Sequence, residues 1–79
     1  MKKIFYIGSA EGKKEFTKCL GLGVWRTEDE AKVMLKVYIE HLIKTSLDAP
    51  YKVTVKDGIY SLYMSGGWAR HVKRYKVIS

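Results

Sequence analysis

The chain reads as an α+β fold: one amphipathic helix packed on one face of a four- to five-stranded, mainly antiparallel sheet, in the order β-β-(β)-α-β-β-β. Three observations predict it. Thr27-Glu28-Asp29-Glu30 is a helix-capping signal, and it opens a stretch in which apolar residues recur every three or four positions. Asp57-Gly58 separates two alternating runs, "YKVTVK" and "IYSLYM", as a tight hairpin turn does. The remaining segments are short, aromatic and β-branched, and glycine punctuates them. At 79 residues the chain is predicted to form a single domain, 1–79, with no linker and no second core.

Taken in order, "KKIFYIG" is predicted as a first strand, closed by a turn over residues 8–12. "KKEFTKC" can pair back as a second. "LGLGVWR", loosened by Gly21 and Gly23, is either a bulged strand or a loop that carries Val24 and Trp25 to the core. The helix follows for about 17 to 20 residues, with Ala31, Met34, Leu35, Tyr38 and Leu42 forming its apolar stripe and Val37 and Ile39 flanking it. Pro50 makes continuation past Asp48 or Ala49 difficult.

If Asp57 and Gly58 form the turn, the hairpin register follows from the pleat. Tyr51, Val53, Val55, Tyr60, Leu62 and Met64 fall on a core face, and Lys52, Thr54, Lys56, Ile59, Ser61 and Tyr63 on a polar, basic one. Ser65-Gly66-Gly67 is read as another turn leading into a last strand. A two-residue turn at Gly66-Gly67 would put Ala69, His71 and Lys73 on the core side. That is unfavourable for a cation, so a bulge or longer turn is expected to shift the register.

Charge is unevenly distributed. The net charge is +7. Residues 27–48 hold five acids against three lysines, a net of minus two, which leaves twelve cations and three acids elsewhere, a net of plus nine. A single helix covers one face of an antiparallel sheet, so the surplus is expected on the other. The densest run is residues 70–76, where Arg70, Lys73, Arg74 and Lys76 stand with His71 and Tyr75 and no acid intervenes. Together with Lys52, Lys56 and Tyr63 these residues make the predicted binding site: cations for phosphate or for acidic side chains, Tyr rings as platforms for unpaired bases. Lysines on exposed strands also serve a plainer purpose, blocking edge-to-edge association.

Catalytic and metal signatures do not emerge. His41 and His71 stand at no metal-ligand spacing from Cys19 or from a carboxylate cluster. Cys19 has no identifiable base to activate it and is read as structural. Gly21-Leu22-Gly23 is a lone GxG, and the three acids at 28–30 oppose a phosphate at the helix start. The chain is therefore expected not to be an enzyme, and no cofactor, metal or small-molecule substrate is inferred. A lone cysteine offers no disulfide framework, and the opening apolar run is too short for a signal peptide or a membrane span. A soluble cytoplasmic protein without membrane insertion is expected.

The junction "GVWRTEDEAK" resembles the strand-to-helix junction of the plant ethylene-response type DNA-binding domain and of the arm-binding domains of phage-type integrases. There a three-stranded sheet enters the DNA major groove with one helix behind it. The likeness covers about ten to fifteen residues, and this chain departs from the pattern by placing a hairpin and a basic tail after the helix. The leading expectation is a small non-enzymatic module that binds nucleic acid, DNA or RNA, through the basic, Tyr-bearing sheet face and last strand. The alternative is a protein-interaction module, such as a small regulator or a phage-type inhibitor of a host protein, that binds an acidic surface.

Overall fold

The computed structural model describes residues 3–11, 15–16, 18–45, 50–66 and 69–79. Its elements are β1 (Tyr6–Glu11), β2 (Lys18–Cys19), α1 (Glu28–Thr45), β3 (Lys52–Lys56), β4 (Ile59–Gly66) and β5 (Ala69–Ile78). The five strands form one sheet in the order β2-β1-β5-β4-β3, with every pairing antiparallel. The helix lies over β5 and β1 on one face. The α+β class is as expected, although the sheet takes two strands from before the helix and three from after it, unlike the DNA-binding domains that the junction resembles. The expected turn residue Gly67, Trp68, and the helix-stop positions Asp48 and Ala49 lie outside the described residues.

Helix α1 starts where its capping residues place it. The Thr27 hydroxyl accepts a hydrogen bond from the Glu30 amide at 3.2 Å, satisfying one of the amide donors that a helix start leaves open. Glu28, Asp29 and Glu30 occupy the first turn and Lys44 the last, which complements the helix dipole at both ends. Glu28 and Lys32 pair at 3.3 Å across one turn. The buried line is Ala31, Leu35 and Ile39, with Tyr38 and Leu42 packed beside it. Met34 and Val37, expected in or beside the stripe, remain exposed. They point past the sheet toward the segment around Leu22 and Trp25.

The β3–β4 hairpin has the expected register: Lys56 faces Ile59, Val55 faces Tyr60 and Val53 faces Leu62. Asp57 and Gly58 both adopt positive φ, 52° and 77°, which matches the right-handed twist of the two strands. Against the helix this face contributes Leu62 and Met64, joined by Ile7 of β1 and Tyr75 of β5. Val53 and Val55 are on the same face but stay exposed. A helix is about 10–12 Å across, whereas four strand spacings span about 19 Å. The rod cannot reach edge strand β3.

Three expectations are corrected. Residues 8–11 are strand rather than turn, because β5 pairs with β1 through Gly8↔Lys76, Ser9↔Tyr75, Ala10↔Arg74 and Glu11↔Lys73. Gly8 serves close packing there: a Cβ on it would overlap the Ile78 side chain. Second, Ser65 and Gly66 are strand rather than turn, and the expected switch of faces before β5 does not occur. Gly66 pairs with Ala69, Met64 with His71 and Leu62 with Lys73, so His71 and Lys73 do share the helix-side face. Both stay partly exposed there, with Glu11 directly opposite Lys73 and its Oε1 3.9 Å from His71 Nε2. Third, Tyr51 precedes β3 in a bend, where the pleat no longer dictates its direction. Its ring lies 6.3 Å from that of Tyr63, away from the core.

The segment before the helix is bound to β1 as a bulged continuation of the sheet edge. The Leu20 amide donates to the Ile7 carbonyl, and Phe5 and Trp25 exchange a pair of backbone hydrogen bonds at 2.8 Å. Gly21 and Gly23, at φ 65° and 126°, make that path possible. Trp25 is delivered to the core margin as expected, but Val24 is left exposed.

Candidate nucleic-acid interface

Strand β5 is the centre of the site, and its period of two divides the predicted residues. Cross-strand partners share a face, so Arg70 opposite Ser65, Arg74 opposite Ser61 and Lys76 opposite Gly8 all lie on the side without the helix. Lys52, opposite Tyr63, and Lys56, opposite Ile59, join them there. Lys52, Lys56, Tyr63, Arg70, Arg74 and Lys76 are thus brought together.

His71, Lys73 and Tyr75 are not. All three face the helix side, and Tyr75 is a core residue at 6% exposure. It touches Tyr38 and its phenol is pushed up to about 12, first by burial and then by Tyr38 and Glu11. These three candidates fall on the helix side for the reason that made the cluster conspicuous. A dense linear run of cations on a strand must split between two faces.

Five cations therefore share the helix-free face, and none of the strand residues beside them is an acid: Glu11, the one acid within a described strand, faces the helix side. The cations form two rows. Lys52 and Lys56 stand on β3; Arg70, Arg74 and Lys76 stand on β5, two strand spacings or about 10 Å away. Between the rows β4 presents Ile59, Ser61 and Tyr63.

Aromatic rings accompany the charges. Lys52 Nζ lies 5.5 Å from the centre of the Tyr63 ring, Arg70 Cζ 5.6 Å from that of Tyr51, and Lys76 Nζ 4.8 Å from that of Phe16. Each is within cation–π range. Tyr51 and Phe16 were missed from sequence. Tyr51 has the parity of a core residue, and only its position outside the strand frees it. Phe16 carries no signal that would place it over the far end of the sheet.

The two ends of this face differ. At one end Tyr51, Lys52 and Arg70 are exposed around Tyr63. At the other, Phe16 helps wall a hollow of about 360 Å³ with Lys56, Asp57, Ile59, Ser61 and Arg74. Ser61 at 9% exposure and Ala10 at 6% are covered there. The helix-free side is thus open at one end and partly covered at the other.

A separate hollow of about 260 Å³ lies between the helix and the segment before it, walled by Ile7, Leu22, Trp25, Met34, Val37, Tyr38 and His41. It is nearly all apolar, and burial raises the Tyr38 phenol at its margin. Among the described residues no helix is long and apolar enough to cross a membrane. Comparison with protein-family models, with curated proteins and with solved structures finds no match, so the functional reading rests on the fold and its charge pattern.

Proposed function

We propose that the chain is a non-enzymatic binding module that holds nucleic acid on its helix-free sheet face. The observation that carries this reading is the pair of cationic rows on β3 and β5, five charges with no acid among their strand neighbours, separated by a strip that includes Tyr63. Such rows neutralise a polyanion that runs along the face. The rings beside Lys52, Arg70 and Lys76 favour nucleic acid over an acidic protein, because flat bases gain from aromatic surface and carboxylates do not.

Salt dependence tests it. Five engaged cations give a slope of log K against log salt of about −3.5 to −4.5, from roughly 0.7 to 0.9 per phosphate. Replacing Lys52, Lys56 and Arg70 by Gln should make the slope shallower by about 2 to 3, whereas Lys73→Gln, on the opposite face, should leave it in place. Binding that is absent at low salt, or equally weakened by Lys73→Gln, would overturn the proposal. Circular dichroism establishes that the variants remain folded.

A further inference from the structure

We infer that the nucleic acid this face takes is single-stranded, with its bases laid on the strip between the two cationic rows. The inference rests on the proposed function and adds the form of the ligand. A duplex buries its base faces in its own stack, so it offers phosphate to the rows and nothing to the rings. A single strand offers both.

Geometry favours the single strand twice over. The major groove of B-DNA is about 12 Å wide and admits a helix or a two-stranded ribbon. The five-stranded sheet presented face-on spans about 19 Å, wider than that groove. The row separation of about 10 Å instead leaves β4, a floor one strand wide that presents Tyr63, between the rows. Bases can lie on that floor while the backbone follows a row of cations.

Aromatic surface is available at both ends of the floor. Tyr51 and Tyr63 lie 6.3 Å apart with their planes inclined at 50°, so the two rings do not stack fully on each other and keep ring surface for a base. Arg70 beside Tyr51 adds a planar guanidinium to the same platform. At the far end Asp57 is one of the residues lining the hollow beside Phe16. A carboxylate at this end disfavours phosphate and can accept a hydrogen bond from a base's amino group, so this end suits a base edge.

Fluorescence anisotropy on the full chain, at one fixed salt concentration, tests the inference with four labelled probes of equal length. These are a mixed-sequence single-stranded RNA, its DNA counterpart, the matching DNA duplex, and an abasic strand with the same phosphates and no bases. The single strands should bind at least tenfold more tightly than the duplex and the abasic strand, and either RNA or DNA in the lead supports the inference. Tyr51→Leu should weaken single-strand binding five- to a hundredfold while its salt slope and the weak duplex binding stay unchanged. Phe16→Leu provides the same test at the other end should the Tyr51 variant misfold. Equal binding of duplex and single strand, or of abasic and normal strands, overturns the inference while leaving the basic face as a phosphate site. Failure to bind any of the four overturns the proposed function itself.

Discussion

The Tyr38 ring meets the Tyr75 ring edge-on, with centroids 5.7 Å apart and planes at 76°. This contact joins the helix to the central strand, and it buries a phenol whose pKa rises to about 12. In the unfolded chain the same phenol ionises near 10. Because the folded value is the higher one, Tyr75's contribution to stability is complete below pH 10 and is lost as pH climbs through 12. Urea unfolding should show stability falling over that window by at most about 1.4 kcal/mol per pH unit, less any share screened by water. Tyr75→Phe keeps the ring contact and should flatten the decline. A Phe variant with the same alkaline slope would assign the loss to other groups.

Much of the architecture was legible because it follows from local rules. Thr27 and Glu30 mark the helix start, and Asp57-Gly58 sets the β3–β4 register to the residue. What was not legible depends on neighbours distant in sequence. Gly8 reads as a turn residue until Ile78 is seen lying across it. Tyr75 reads as part of a basic cluster, since nothing in its immediate sequence announces the helix that covers it. The candidate face was half legible: Lys52, Lys56 and Tyr63 follow from the hairpin, whereas the phase of β5 that separates Arg70, Arg74 and Lys76 from His71 and Lys73 looked unfavourable in sequence because it puts two basic residues on the helix side. Tyr51 and Phe16 reach the face from outside the regular strands, where periodicity carries no information.

Leu35 is the side chain on which the two layers depend most. It is 1% exposed and packs in one cluster with Ile7, Leu62 and Tyr75. Leu35→Ala should cost about 2–5 kcal/mol, the transfer of the lost methyl groups plus the cavity they leave. A domain of this length has roughly 4–12 kcal/mol of stability in total, so chemical denaturation should find the variant close to unfolding. Val33→Ala, on the same helix at 61% exposure, should change stability by no more than about 0.5 kcal/mol. Similar losses at both positions would contradict the assignment of the buried face.

The cap at Thr27 supports a separate prediction. Its hydroxyl satisfies the Glu30 amide at the exposed start of α1, and the alanine variant removes that acceptor while leaving the packed face intact. Thr27→Ala should cost about 1 kcal/mol, and Thr27→Ser, which keeps the oxygen, should cost much less. Thermal melts of the two variants measure the difference. Equal losses would mean that the side-chain oxygen contributes nothing at this helix end.

The turn at Asp57-Gly58 connects stability to the proposed binding face. Its tightness places Lys56 opposite Ile59, and a slip of one residue would carry Lys52 and Lys56 to the helix side. Gly58 holds φ at 77° with open space around the position of a Cβ, so a substitution there meets backbone strain rather than a clash. Gly58→Ala should therefore cost about 1–2 kcal/mol, the left-handed penalty of an L-residue. For a domain of 60–100 residues each kcal/mol lowers the melting temperature by about 4–8 °C. If the hairpin keeps its register, nucleic-acid binding below the melt should retain its salt slope. If the strain is relieved by a register slip, the slope should become shallower as the two β3 lysines leave the face, so measuring stability and slope on the one variant separates strain from slippage.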